Sequence, residues 1–324
     1  MKVCIYGAGA IGGWIGSGLA RAGCQVSVVA RGATLEALQL HGLRLVQDGQ
    51  MASQPVASSA VPADLGVQDL VVLAVKAPSL PGVVHGIAPL LGPTTSVLTA
   101  MNGVPWWFLQ GFGSTLANTP LTSVDPGGVL AAALPVQRII GCVVHASCSV
   151  DAPGLVRHHF GNELIVGEPS GQKTGRVLEL ARLLQTAGFE TQVSERIQHD
   201  IWFKLWGNMT VNPISALTGA TTDRIMNDDL VRGFVSRVML EAKEIGARIG
   251  IHIDQQPEDR HQVTRKLGAF KTSMLQDVEA GRPVELDALV TAVQELGQLT
   301  GVATPFTDAL LGLARLQATS LGLY

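Results

Sequence analysis

The sequence has little charge of either sign, few cysteines and no long hydrophobic run. Charged residues make up 15% of its 324 residues, the net charge is −3 and the pI is near 6.2. This balance does not favour binding to nucleic acid or to an anionic membrane surface. The four cysteines, Cys4, Cys24, Cys142 and Cys148, form neither a C-x-x-C pair nor a zinc-ligand pattern. Reduced thiols in a cytoplasmic protein are therefore expected.

The absence of any run of 18 or more apolar residues excludes a conventional membrane-spanning helix. The first 23 residues, MKVCIYGAGAIGGWIGSGLARAG, are similar to a signal peptide in having a lysine before an apolar run. They contain too much glycine for a good hydrophobic region of such a peptide. Because 47% of the residues are hydrophobic, the chain can bury a large core, and its length suggests about two domains.

Glycine, by contrast, is abundant, and three glycines near the N-terminus have G-x-G-x-x-G spacing. The run KVCIY at 2–6 predicts a strand, and Gly7, Gly9 and Gly12 follow it directly where a helix opens at Ala10 and Ile11. In such a turn the backbone approaches a pyrophosphate, and the helix N-terminus supplies amide donors. A glycine-rich turn without a ligand is the alternative. The second predicted strand, at 25–31, favours dinucleotide binding.

The end of this second strand indicates which dinucleotide is bound. An enzyme specific for NAD usually has an acidic residue there to hold the ribose 2′-hydroxyl. Here the residue is Arg31, and no carboxylate appears before Glu36. A guanidinium matches a 2′-phosphate in charge and in hydrogen-bond geometry. The sequence therefore predicts NADPH as the cofactor, with an ordinary surface arginine as the alternative.

Two further predicted strands end in polar residues. DLVVLAVKA at 69–77 ends at Lys76, and TTSVLTAMNGV at 94–104 ends at Asn102-Gly103. Because ligands bind at the carboxyl ends of parallel strands, these residues and the glycine turn are expected to border one cleft. Turn chemistry alone is the simpler explanation for each residue taken separately.

The middle of the chain is less regular. Residues 105–137 are rich in glycine, proline and aromatics and show no clear amphipathic helix, whereas 138–150, 154–161 and 162–168 predict antiparallel strands. The pair His158-His159 has no third metal ligand at a suitable spacing. A strand with one histidine on each face is therefore preferred to a metal site.

From about residue 173 the pattern is mainly helical, with a short strand in FETQVS after Gly188. Helices are predicted from about 194 onwards and at about 228–250, 257–279, 286–300 and 305–320. We therefore predict an α/β Rossmann-type domain over 1–190 and an all-α domain over 191–324. The active site is expected in the cleft between these domains.

The helix that begins near 194 contains the stretch IWFKLWGNMTVNP, with Lys204, Asn208 and Asn212 among large apolar residues. Successive helical residues turn by about 100°, so positions four apart lie only about 40° from each other around the axis. The three polar side chains form one row, and Pro213 is expected to end or kink the helix where the row stops. A row of this kind among aromatics predicts the floor of a binding site. A lysine whose stem lies on a buried helix is the alternative for Lys204.

Several motifs, in order and with matching spacing, resemble the ketopantoate reductase (2-dehydropantoate 2-reductase) family over nearly the whole chain. SMLQD followed by E-x-D is the most specific of them. The motifs are GAGAIG at the start, Arg31, VKA at 75–77, NG at 102–103, KLWGNMTVNP at 204–213 and SMLQDVEAGRPVELD at 273–287. The resemblance implies a Rossmann domain, a helical domain like that of 6-phosphogluconate dehydrogenase, and a possible homodimer. It also implies NADPH-dependent reduction of 2-dehydropantoate (ketopantoate) to pantoate in pantothenate biosynthesis.

The same resemblance implies roles for individual residues. Lys204 is the general acid, and Glu285 assists catalysis through the substrate hydroxyl. The substrate is held by Asn102, Asn208, Asn212 and Ser273, and Lys76 and Asn102 lie beside the cofactor. These roles agree with the chemistry, because hydride addition to a ketone creates negative charge on oxygen that a cationic donor stabilises and protonates. Trp202 and Trp206 are expected to wall the lysine and partly desolvate it, which favours the neutral amine, whereas Glu285 favours the ammonium form.

The chain also departs from the family pattern near the expected site. Met101 stands where a polar or aromatic residue is common, Pro78 and Ser79 follow VKA, and 105–137 is enlarged. A different 2-oxo acid therefore remains an alternative substrate. A β-hydroxyacid dehydrogenase is a second alternative, because that family also has an asparagine four residues after its lysine. An NADPH sensor without turnover is a third, although such a protein has no need of Lys204 and Glu285 together.

Overall fold

The computed structural model describes residues 1–112 and 115–324. Within them the chain forms two compact units, and neither is one continuous stretch of sequence. The first contains Met1–Met101 and Gly128–Ile197, and the second contains Asn102–Gly127 and Gln198–Tyr324. Residues 102–127, which the sequence pattern assigns to the N-terminal domain, therefore belong to the second unit. The division at residue 190 stays a prediction.

The first unit is built on a ten-stranded sheet with the order β4-β3-β9-β8-β7-β6-β1-β2-β5, and β10 pairs with β9. The strands are β1 Lys2–Tyr6, β2 Gln25–Val29, β3 Leu43–Gln47, β4 Gln50–Gln54, β5 Ala57–Ser59, β6 Gln68–Leu73, β7 Leu91–Thr99, β8 Ile139–Ala152, β9 Leu155–Gly167 and β10 Glu190–Val193.

The parallel part of this sheet confirms the predicted Rossmann-type fold. β1 pairs in parallel with both β2 and β6, β6 pairs in parallel with β7, and β7 does so with β8. The carboxyl ends of β1, β6 and β7 therefore lie at one edge, where the glycine turn follows β1. The core on one side of this sheet includes the fully buried Trp14, Ile15 and Leu19 of the first helix.

The antiparallel part differs in detail from the prediction. β8 and β9 form a long hairpin, and the two strands predicted over 154–168 are one continuous strand because Gly161, with φ +77, lets the chain bend without ending the ladder. The hairpin of β3 and β4 and the short β5 had not been predicted. β4 is mostly exposed and polar, so it lacks the apolar alternation that identifies a strand from sequence.

The helices of the two units are α1 Ala10–Arg21, α2 Gly32–His41, α3 Leu80–Val84, α4 Val129–Ala133, α5 Gly175–Thr186, α6 Ile197–Thr218, α7 Thr222–Asn227, α8 Asp229–Arg248, α9 Pro257–Arg265, α10 Ser273–Glu279, α11 Ala292–Thr300 and α12 Pro305–Ser320. A π-helical turn, Asp287–Thr291, leads into α11. In its described residues the second unit contains helices and turns but no strand, as predicted for the C-terminal part.

Two helix boundaries differ from the prediction. The helix expected over 257–279 is two helices, because Gly268 adopts φ +64 and the carbonyls of Gly268 and Phe270 accept hydrogen bonds from the N-terminus of α7. The helix α6 does not end at Pro213 but continues to Thr218. Burial of Ile214 and Ser215 stabilises this last part, although proline cannot donate the usual backbone hydrogen bond. None of the helices in the two described stretches is long and apolar enough to cross a bilayer.

Candidate active site

The glycine turn after β1 has the geometry that a dinucleotide needs. Gly7 has φ +105, and a Cβ there would lie 2.7 Å from Cγ1 of Val75. A Cβ on Gly12 would lie 2.0 Å from the carbonyl oxygen of Gly7, so only glycine allows the close packing of turn and helix. Gly9 is exposed, and a Cβ there would meet nothing within 4 Å. The turn is therefore tightly packed on its inner side and open at its middle glycine.

The N-terminus of α1 lies directly behind this turn. Gly9 is its N-cap, the helix starts at Ala10 and Ile11, no side chain caps it, and its first turn contains no acidic residue. Backbone N–H groups at such an end and the positive end of the helix dipole favour an anionic group. The turn and α1 together fit a pyrophosphate.

Arg31 is at the start of α2, two residues after β2 ends. It is exposed and serves as the N-cap residue in an extended conformation, with φ −135° and ψ 162°. Burial raises the pKa of Tyr6, and the positive charge of Arg31 opposes this rise because it stabilises the ionised phenol. The position of Arg31 fits a ribose 2′-phosphate.

Lys76 follows β6 and is the N-cap residue of the short 3-10 helix Ala77–Ser79. The residues directly before it, Ala74 and Val75, form the wall against which Gly7 packs. The structure therefore places Lys76 next to the glycine turn, at the carboxyl edge of the parallel strands.

In the second unit, Lys204 and Asn102 are in direct contact. The ammonium Nζ of Lys204 donates a hydrogen bond to Oδ1 of Asn102 over 2.8 Å. The two residues are 102 positions apart in sequence, and Lys204 is partly exposed. The asparagine thus fixes one direction of the ammonium group.

The tryptophans next to Lys204 do not wall it, contrary to the expectation from sequence. The indole N–H of Trp202 donates to the carbonyl of Ala242, and that of Trp206 donates to Met239, so both rings point towards α8. Around a helix these two positions lie roughly 160° from Lys204 at about 100° per residue. The tryptophans therefore anchor the side of α6 opposite to Lys204.

Asn102 is held in place through the residues that follow it. Gly103 has φ +82 and packs so closely on Ala288 that a Cβ would lie 2.5 Å from its carbonyl oxygen. The backbone N–H of Val104 donates to the same oxygen over 2.8 Å. Ala288 belongs to the π-helical turn, three residues after Glu285. Packing therefore brings the segments that contain Asn102 and Glu285 together. The hydrogen bond from Lys204 to Asn102 joins α6 to these two segments.

The rest of the polar row on α6 is available to a ligand. Asn212 is only 7% exposed and Asn208 is partly exposed, yet neither side chain makes a hydrogen bond within the described chain. Ser273 is exposed at the first position of α10, and among the described residues no hydrogen bond joins its hydroxyl to the row. The structure does not by itself connect Ser273 with Lys204.

Two acidic residues of the 273–287 motif have structural partners. Asp277 is buried and pairs with Nε of Arg282 over 3.2 Å. Asp287 accepts hydrogen bonds from the hydroxyls of Thr291 and Tyr324. Burial and this contact with Asp287 raise the pKa of Tyr324 to about 12. Two of the acidic residues that make this motif recognisable therefore stabilise the local fold: Asp277 through Arg282, and Asp287 through Thr291 and Tyr324.

The histidine pair lies on β9 as predicted, with its members in different environments. His158 stacks on Trp14 with ring centroids 5.6 Å apart, and the Nε2 of His159 lies 2.9 Å from the hydroxyl of Ser149. No group of three or more His, Cys, Asp or Glu in residues 1–112 and 115–324 is arranged to hold a metal ion.

Sequence reasoning missed two features of the second unit. The aromatics after Asn102 are core residues: Trp107 and Phe108 are fully buried, and the ring of Phe108 lies 5.9 Å from that of Trp202. Arg260 on α9 lies over Gly207 of α6, with its Nε 2.6 Å from where a Cβ of Gly207 would be. A glycine inside a helix was the only signal for the second feature.

The chain is similar to known proteins over its full length. Residues 3–106 match the family "Ketopantoate reductase PanE/ApbA", and residues 196–318 match "Ketopantoate reductase PanE/ApbA C terminal". A 2-dehydropantoate 2-reductase of Mesorhizobium japonicum is 49% identical over the full length of both chains. A crystal structure of a protein assigned as a ketopantoate reductase, from Ralstonia solanacearum MolK2, is 54% identical, covers 100% of this chain and 99% of its own, and superposes with a TM-score of 0.97.

A more distant structure shares the fold alone. D-mandelate dehydrogenase, solved with NADH and anilino(oxo)acetate, is 22% identical with a TM-score of 0.86, and the match covers 100% of both chains. The two family matches and the relative at 49% identity are sufficient to assign the family. The chain belongs to the ketopantoate reductase family.

Proposed function

We propose that this protein reduces 2-dehydropantoate to pantoate with NADPH, and that Lys204 donates the proton. The observation that carries the proposal is the row on α6: an ammonium group oriented by Asn102 over 2.8 Å, followed by two asparagine side chains that no described residue uses. The naming of relatives at 49% and 27% identity as 2-dehydropantoate 2-reductases supports the choice of substrate.

The reaction requires a donor at the ketone oxygen. When bound, NADPH supplies the hydride to the carbonyl carbon. Lys204 stabilises the negative charge that develops on the oxygen and transfers its proton there. Because Asn102 accepts one N–H of the ammonium group, the position of Nζ of Lys204 is restricted, which lowers the entropic cost of orienting the proton.

The neutral residues of the site select and orient the substrate. Asn208 and Asn212 have amides that can donate to a carboxylate and accept from a hydroxyl without adding charge. We assign Ser273 as a further donor to the substrate and Glu285 as the partner of its hydroxyl group. These two roles rest on the family motif, and the structure supports that of Glu285 by packing its segment against that of Asn102.

The first unit holds the cofactor in this proposal. The backbone of Gly7, Gly9 and Gly12 and the amides at Ala10 and Ile11 receive the pyrophosphate. Arg31 pairs with the 2′-phosphate, which distinguishes NADPH from NADH. Lys76 is assigned to the nicotinamide side of the cofactor.

A substrate screen tests the proposal. NADPH oxidation is measured by absorbance with 2-dehydropantoate and with other branched or hydroxylated 2-oxo acids, and NADP reduction is measured with 3-hydroxyisobutyrate. We expect the highest kcat/KM with 2-dehydropantoate. A higher value with another 2-oxo acid would change the substrate but keep the chemistry. Activity only with 3-hydroxyisobutyrate would favour a β-hydroxyacid dehydrogenase, and no turnover at all would favour an NADPH sensor.

Two broader expectations accompany the proposal. We propose a cytoplasmic enzyme that acts on a small molecule and has no nucleic-acid or membrane partner. We also propose a homodimer, which sedimentation analysis of the purified protein tests directly through its mass.

A further inference from the structure

The cation of Arg260 has an unusual environment in the second unit. Its guanidinium carbon lies 5.7 Å from the centre of the Phe203 ring, and the group extends over Gly207 of α6. The side chain is only partly exposed, and burial lowers the pKa of Arg260. Among the described residues, no carboxylate pairs with Arg260 and none accepts a hydrogen bond from its side chain.

Several other arginines of this unit pair with a carboxylate. Arg265, one turn further along α9, pairs with Glu258 over 2.7 Å, and Arg282 pairs with Asp277. A partly buried guanidinium loses hydration that the face of one aromatic ring replaces only in part. Arg260 is therefore in a state that an anion would stabilise.

Gly207 makes this arrangement possible. It is buried in the interior of α6, where glycine is less favourable than alanine because of its backbone entropy. A Cβ at this position would lie 2.6 Å from Nε and 3.0 Å from Nη2 of Arg260, so a side chain would displace the guanidinium. The glycine thus gives the guanidinium its position against the helix.

This position is adjacent to the polar row. At about 100° per residue, Gly207 lies roughly 60° around the helix from Lys204, on the side away from Asn208 and Asn212. Asn208 and Asn212 are displaced from Lys204 in the opposite direction around the helix axis. A small molecule that contacts Lys204 therefore has a cation on one side and neutral amides on the other.

We propose that Arg260 binds the carboxylate of the 2-oxo acid substrate. The inference rests on the proposed function, and it fixes the orientation of the substrate. The ketone oxygen faces Lys204, the carboxylate lies towards Gly207 and Arg260, and the rest of the carbon chain extends along Asn208 and Asn212. A guanidinium is suited to this task because its paired N–H groups match the two oxygens of a carboxylate.

The test compares 2-dehydropantoate with its primary amide, in which the carboxylate is replaced by a neutral group. Arg260→Met keeps an apolar stem against Phe203 and removes the charge. Arg260→Lys keeps the charge but loses the paired donors. Arg265→Met, on the same helix, is the matched control. KM and kcat are measured for both compounds, with NADPH affinity as a check that each variant is folded.

For Arg260→Met we expect the KM of the acid to rise about ten- to a hundredfold, because a charge-assisted contact is lost. The KM of the amide should change by less than about threefold, because the amide has no carboxylate to lose this contact. Arg260→Lys should fall between this variant and the unmodified protein. Arg265→Met should change neither KM.

Parallel rises for acid and amide in both Arg260 variants would overturn the inference and make Arg260 a packing residue, as would an unchanged KM for the acid. In either case the unmodified enzyme still reduces the acid, so the proposed function stands. No NADPH oxidation by the unmodified protein with 2-dehydropantoate would reject the function and this inference together.

Discussion

Removal of the Lys204 ammonium group is the most direct perturbation of the proposed site. Lys204→Met keeps most of the aliphatic stem on α6 and removes the donor that lies 2.8 Å from Asn102. The partly exposed position of Lys204 means that methionine can be accommodated without creating a large cavity. The tryptophans at the back of α6 keep their hydrogen bonds to α8, so the helix should retain its position.

The expected loss follows from the role of the group. General acid catalysis contributes typically about 10²- to 10⁴-fold, and the ammonium group also stabilises the developing charge on the ketone oxygen. We therefore expect kcat of Lys204→Met to fall by at least about 10², with an NADPH dissociation constant within about twofold of the unmodified value. The cofactor residues of the first unit are unchanged in this variant.

The pH dependence provides a second signature. Only the protonated amine can donate, so kcat of the unmodified enzyme should fall at high pH as Lys204 loses its proton. This limb should be absent from the residual activity of Lys204→Met. Asn102→Ala removes the acceptor that orients the ammonium group, and we expect it to lower kcat while the high-pH limb persists.

Lys243→Met is the matched control. Lys243 lies on α8, is partly exposed, and donates to the carbonyl of Gln255 over 2.8 Å. Steady-state NADPH oxidation should be the same for this variant and the unmodified protein. If Lys204→Met instead retained near-normal turnover on the best 2-oxo acid, Lys204 would be only a helix anchor and the mechanism would be wrong.

Three other variants test separate parts of the molecule. Arg31→Ala should weaken NADPH binding about ten- to a hundredfold and leave NADH nearly unchanged, as a lost charged contact predicts; equal affinities of the unmodified protein for both cofactors would contradict the assignment. Asn208→Ala and Asn212→Ala should raise KM for the acid more than they lower kcat, and the reverse pattern would argue for a role in the chemical step. Glu295→Gln should destabilise the fold by about 1–3 kcal/mol in denaturant titrations at neutral pH, because Glu295 accepts hydrogen bonds from the backbone and hydroxyl groups of Thr122 and Ser123. Burial raises the pKa of Glu295, but these hydrogen bonds outweigh it and leave the pKa below its ordinary value. The stabilisation is therefore present above the unfolded-state pKa and is lost as the pH falls through the folded-state pKa; an unchanged difference between the proteins at low pH would refute this origin.

Local patterns were sufficient for much of the fold. The sequence KVCIY followed by three spaced glycines predicts a strand, a turn and a helix, because these predictions depend on backbone sterics and on side chains a few positions apart. The row of Lys204, Asn208 and Asn212 was predictable for the same reason, since helical periodicity fixes which side chains share a face.

Only the tertiary structure decided which of these elements meet. Asn102 follows a strand of the first unit in sequence, yet it packs with the helices because Gly103 and Val104 dock on Ala288. The direction of Trp202 depended on the carbonyl that its indole reached on α8. Long-range contacts of this kind are set by packing against distant segments, which no local pattern encodes. Periodicity therefore determined the row of polar side chains, whereas packing determined its partner Asn102 and the arginine beside it.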